Sequence, residues 1–136
     1  MDRFASAWLI QRFIDPAAQF AFAATPDGVA NAVPFDMYDA GFSHEGDRCT
    51  FEVLQTRFGV DDVIVRRIGE IVHDVDLKDD RFHSPQAPTI AMLVEGLRTA
   101  WADDAELLHH GVALFDALYH GLYPAKGSAG RISKGR

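Results

Sequence analysis

The sequence predicts an α+β fold, mostly α, with about five helices packed against a short β-sheet in the amino-terminal half. Apolar residues recur at helical spacing in most segments after residue 47, while two short alternations lie between residues 18 and 37. Clusters of Pro, Gly and Asp separate these segments. The 136 residues suit one domain, assigned to residues 1–123, that can bury about two-thirds of its unfolded surface. With 48% hydrophobic and 24% charged residues, such a core needs no disulfide or metal to hold it. Any metal would then be functional rather than structural.

The first helix is predicted over residues 3–14, with Asp2 as its cap and Asp15-Pro16 as its stop. Phe4, Ala7, Trp8, Leu9, Ile10, Phe13 and Ile14 surround most of it, as expected of a central, buried helix. Residues 18–24 alternate around Phe20 and Phe22, which predicts a half-buried strand. Asp27-Gly28 marks a turn, and residues 32–38 resume the alternation through Val33, Phe35 and Met37. Pro34 removes a ladder donor there and limits this strand to an edge.

Helical signals fill the remainder. Residues 48–58 read as a helix started by Asp47 and ended by Gly59. Residues 61–77 place Ile64, Ile68, Ile71 and Val75 on one stripe. A polar, proline-containing connection at 79–88 leads to a helix carrying Ile90, Leu93, Val94, Leu97 and Trp101. Asp103 and Glu106 form a capping-box pattern for a last helix, whose inward face is Leu108, Val112, Phe115, Tyr119 and Leu122. The basic segment 124–136 is small, polar and expected to be disordered.

Composition excludes several classes of function. A formal charge of −7 argues against direct nucleic-acid binding by this chain. The single Cys49 precludes an internal disulfide and fits a reducing compartment. The apolar run near the amino end is broken by Gln11 and Arg12, too short for a membrane anchor, so a cytoplasmic location is expected. No glycine-rich phosphate loop, G-x-S-x-G, C-x-x-C or H-E-x-x-H motif occurs.

Two segments concentrate chemistry-bearing residues: FSHEGDRCTFE at 42–52 and EIVHDVD at 70–76. His73 lies roughly opposite the apolar stripe of its helix, so it is not a core residue of that face. Asp76 follows it at i+3 and Glu70 precedes it by three, an E-x-x-H spacing used in carboxylate-bridged metal sites but frequent by chance. The bland alternative is a solvent-facing histidine near a helix end. His44 sits in a loop, and Glu52 lies on a partly apolar helix flank that demands a partner or exposure. Imidazole and carboxylate together suit Zn, Fe, Mn or Ni. Cys49 is read as a packing residue, and His83, His109, His110 and His120 as structural or exposed. Arg48, beside a helix start, is a candidate anion anchor, with a salt bridge to Asp47 or Glu52 as its ordinary role.

The order DRFASAWLIQRFID, FSHEGDRCTFEVLQTRFG, IVHDVDLKD resembles the carboxy-terminal domain of ChrB-type bacterial chromate-resistance proteins, over about residues 2–123. Longer members carry a separate amino-terminal region and are linked to chromate sensing and control of a chromate efflux pump, a stress response. On the family pattern, His44, Asp47, Arg48, Glu52, His73 and Asp74 have the typical polar character. The expectation is therefore a cytoplasmic domain that binds a divalent metal through His44, Glu52, His73 and Asp76. Arg48 or Arg3 would steer a small anion or oxyanion, and Glu45 or Asp74 would move protons if the domain is a metalloenzyme. The alternative is a non-catalytic metal- or oxyanion-sensing module; a homodimer is compatible with either.

Overall fold

In the computed structural model, residues 1–21 and 46–123 are described, and among them every regular element is helical. Helix α1 spans Asp2–Leu9 and continues as a π-helical turn, Ile10–Ile14; α2 is Thr50–Arg57, α3 Val63–Leu77, α4 Ala87–Ala100 and α5 Asp104–Gly121. The expected α+β class is corrected accordingly. The start of the first expected strand, residues 18–21, is irregular, and Phe20 packs on the helical core instead of in a sheet. Residues 22–24 and 32–38, like the basic segment 124–136, lie outside the described residues. An alternation this short does not distinguish a strand from a chain that drops one aromatic side chain onto a core.

Helix α1 is the central element, as its all-round apolarity predicts. It packs against α2, α3 and α5. Phe4, Ala5, Ala7, Trp8 and Leu9 are buried. Trp8 stacks parallel to Phe51 of α2, with ring centroids 6.5 Å apart, and meets Tyr119 of α5 at 5.6 Å. Its indole N–H donates to Asp116, so the one polar atom of this large ring is satisfied. Contacts advance in step along α1 and α5, with Phe4 at Gly111, Trp8 at Asp116 and Phe13 at Tyr119, so the two helices run parallel. Their closeness depends on Gly111, where an added Cβ would stand 2.7 Å from Cγ of Phe4.

The helix ends are fixed largely by carboxylates, with Asp103 at its expected place and Cys49, not the expected Asp47, at the N-cap of α2. Asp62 caps α3 by accepting from the N–H groups of Ile64 and Val65 (2.8 and 3.1 Å). Its second oxygen accepts from the Tyr119 hydroxyl at 2.7 Å, tying the end of α5 to the start of α3. Asp103 caps α5 through Glu106 N–H, and Glu52 of α2 accepts from Cys49 N–H, one half of a capping box. Asp2 departs from expectation. It does not cap its own helix, whose N-cap is Met1. Instead it is buried and accepts from the backbone N–H groups of Thr50 (2.8 Å) and Phe51 (2.9 Å), with Ser6 donating its hydroxyl as well. One side chain of α1 thus satisfies orphan donors of α2, forty-eight positions away.

Candidate functional site

The α3 stripe predicted from spacing is buried at Ile64, Ile68 and Ile71. His73 lies off that stripe, yet its ring is wholly buried, because α2 and the segment after α3 cover a second face of the helix. The solvent-facing alternative is therefore corrected. Nδ1 of His73 lies 2.8 Å from Oε1 of Glu52, and Nε2 lies 3.0 Å from Oδ2 of Asp79. An ionised carboxylate can only accept, so both contacts are satisfied together when both ring nitrogens carry protons. Burial alone would favour the neutral ring. The hydrogen bonds and negative charges of Glu52 and Asp79 outweigh it and hold the imidazole above its ordinary pKa. In return, the hydrogen bond from His73 keeps Asp79 below the usual carboxylate range.

Glu52 acts in two places at once. The oxygen that meets His73 also accepts the Cys49 N–H at 3.0 Å, so the capping geometry of α2 fixes where this carboxylate points. Cys49 itself is buried, and burial, with the negative charge of Asp2 next, pushes its thiol well above the ordinary value. That matches the packing role expected of it.

The segment from Lys78 to Ser84 closes the other side. Asp79 accepts from the Arg81 N–H as well as meeting His73. The Arg81 guanidinium reaches back to Asp47 at 2.6 Å, which lowers the Asp47 pKa and raises that of Arg81. The Phe82 ring meets His73 edge-on, with centroids 5.1 Å apart. Asp74, one position after His73, is also buried and anchors this segment. Its two oxygens accept from Phe82 N–H (3.0 Å) and Ser84 N–H (2.8 Å). Burial would raise the Asp74 pKa, but these backbone donors more than offset it and keep the carboxyl ionised to lower pH than usual.

The expected site residues are thus only partly brought together. His73 and Glu52 touch. Asp76 is half-buried and borders a cavity that Lys78, Asp80 and Ser84 also line. Arg48 donates to the Thr56 hydroxyl, and Arg3 is exposed on α1. His44 and Glu45 lie outside the described residues. Among the described residues no three His, Cys, Asp or Glu side chains are grouped so as to hold one ion. Asp79 and Arg81 were absent from the expected set. They fall in the polar connection, where the only local signal was its density of charge.

No helix among the described residues is long and apolar enough to cross a membrane. Residues 1–122 match the family described as ChrB, C-terminal domain. Protein ChrB of Cupriavidus metallidurans is 37% identical over 124 residues, a stretch covering 88% of this chain and 37% of that protein. The chain therefore spans little more than a third of the length of the curated relative it matches. No solved structure matches. The fold-defining helix α1, the Glu52 cap and the His73 helix all fall inside the matched region, and the chain belongs to the ChrB C-terminal domain family.

Proposed function

We propose that this chromate-resistance domain binds a divalent metal, of the Zn, Fe, Mn or Ni group, at the Nε2 face of His73. The observation that carries this reading is the fixed pose of the imidazole. Its Nδ1 is committed to a carboxylate that is itself fixed by a helix cap, which is how metal-bound histidines are commonly oriented. Asp79, whose Oδ2 lies beside Nε2, is the second ligand in this proposal, an oxygen donor. His44 is the third ligand in this proposal, and Glu52 remains beside the ring as the orienting carboxylate. Asp76, bordering the neighbouring cavity, is not needed in this set. When bound, the metal would supply a Lewis-acidic position for a small oxyanion.

Arg81 is the cation best situated to attract that anion, since it pairs with Asp47 and adjoins Asp79 in the chain. Arg48 and Arg3 are secondary candidates. The role is recognition, a metal- or oxyanion-sensing one, rather than turnover. Asp74, the described candidate for moving protons, has both oxygens engaged by backbone N–H groups. Metal analysis and calorimetric titration of the tag-free chain test the reading. One divalent ion per chain is expected, lost in His73→Ala and His44→Ala and weakened about 10- to 100-fold in Glu52→Gln. Protein that takes up none of these metals, with melting unchanged by them, would end it.

A further inference from the structure

We infer that residues 78–84 form a lid over His73, held shut by the Arg81–Asp47 pair. As a gate for metal entry this inference rests on the function proposed above; as a moving part it stands on geometry alone. His73 is sealed, with no exposed surface, and its Nε2 is closed off by Asp79. Nothing reaches that nitrogen until Asp79 moves.

The segment carrying Asp79 is built to move. Every residue from Lys78 to His83 is exposed and Ser84 is half-buried, so the lid has no buried apolar anchor of its own. Segments with few buried apolar contacts open at low free-energy cost. Its backbone is also strained, since Lys78, Asp80 and His83 have φ of 56°, 51° and 49°, three non-glycine residues in the left-handed region. Behind it lies room, because Lys78, Asp80 and Ser84 border a cavity of about 630 Å³ shared with Asp76 and α4. Apart from the edge of the Phe82 ring on His73, what holds the lid down is polar: Asp79 on His73, the Phe82 and Ser84 N–H groups on Asp74, and Arg81 on Asp47. Only the last of these joins the lid to a residue outside α3 and the lid itself. The Arg81–Asp47 pair is exposed, so an anion that competes for Arg81 would release it.

The test uses the full chain in chelator. Diethyl pyrocarbonate acylates accessible neutral imidazole, and the tryptic peptide from Ile68 to Lys78 contains His73 as its single histidine. Exchange of the Phe82 and Ser84 amides reports opening separately. Arg81→Glu should speed both His73 acylation and exchange by about fivefold, the range of a surface ion pair lost. The swap Asp47→Lys with Arg81→Glu should restore slow rates. Faster acylation without faster exchange would signal only a changed ring charge and would overturn the lid, as would unchanged rates or a swap that rescues neither. A lid that opens in a chain that binds no metal would sink the function proposed above and leave the lid standing. Metal binding with no response to Arg81→Glu would do the reverse.

Discussion

Asp2 and Asp79 are both carboxylates that join elements distant in the sequence, yet their surroundings differ in kind. Asp2 is buried, and its described partners are backbone N–H groups and a hydroxyl, none of which titrates near neutrality. Asp79 is exposed and meets an imidazole, a group that changes charge within the physiological range. The first arrangement fixes α1 on α2 under all ordinary conditions. The second is reversible by protons, competing anions or metals. The permanent joint at Asp2 is buried and made to backbone and hydroxyl donors. The changeable joints, Asp79 with His73 and Arg81 with Asp47, each have an exposed partner and are made between titratable or charged side chains.

The largest effect is expected at the permanent joint. Asp2→Ala strands two buried N–H donors at the start of α2, at a cost of about 3 kcal/mol. Thermal and urea melts should register it, whereas a loss under about 1 kcal/mol would mean water replaces the carboxylate. Gly111→Ala comes next. Alanine gains about 1 kcal/mol of helix propensity. The new methyl, however, meets the Cβ, Cγ and Cδ2 atoms of Phe4 at 3.1, 2.7 and 2.9 Å, near the root of a buried side chain that cannot swing aside. Overpacking of this sort costs about 1–3 kcal/mol, so a net destabilisation of about 1 kcal/mol is predicted. A stabilised variant would show that α1 and α5 separate easily.

Acid should weaken the joint at Asp62 before it touches the core packing. Burial opposes ionisation of this carboxyl, but the Tyr119 hydroxyl and the Ile64 and Val65 N–H groups prevail and hold its pKa below the ordinary value. A lowered folded-state pKa contributes stability above the unfolded value, near 3.9, and that stability is lost as pH falls through the folded value. Urea melts at pH 6 and at pH 3 should therefore converge for Asp62→Asn and diverge for the parent, after subtracting changes common to both. Equal pH slopes would assign the acid sensitivity elsewhere.

These joints also mark what was legible in the sequence. Asp103 and Gly59 act locally, within a few residues of the helix end they define, and both were readable from position alone. The apolar stripes of α3 and α5 were readable for the same reason. Asp2 was misassigned because the nearest helix offered a sufficient local role, while its real partners lie forty-eight and forty-nine positions on. His73 drew notice because its position off the stripe left it unexplained, while its burial depends on α2 and the segment after α3 and was not legible there. Asp79 and Arg81 stayed hidden because a polar loop has no periodicity and its partners are set only when α2 and α3 have packed. The sheet was an error of local pattern, two phenylalanines read as a strand face.

The smallest effect on stability should come from the most informative position. Arg81→Ala removes an exposed ion pair with Asp47, and pairs of that sort contribute little to folding. The melting temperature should stay within error of the parent. If the lid is a separate local unit, the same variant should still speed amide exchange at Phe82 and Ser84 while leaving the amides of Thr50 and Phe51, held by Asp2, as slow as before. Acceleration at all four would mean that lid and core open together, and the division between permanent and changeable joints would fail. Acceleration confined to the lid would show that the domain exposes His73 without loosening the helices that position it.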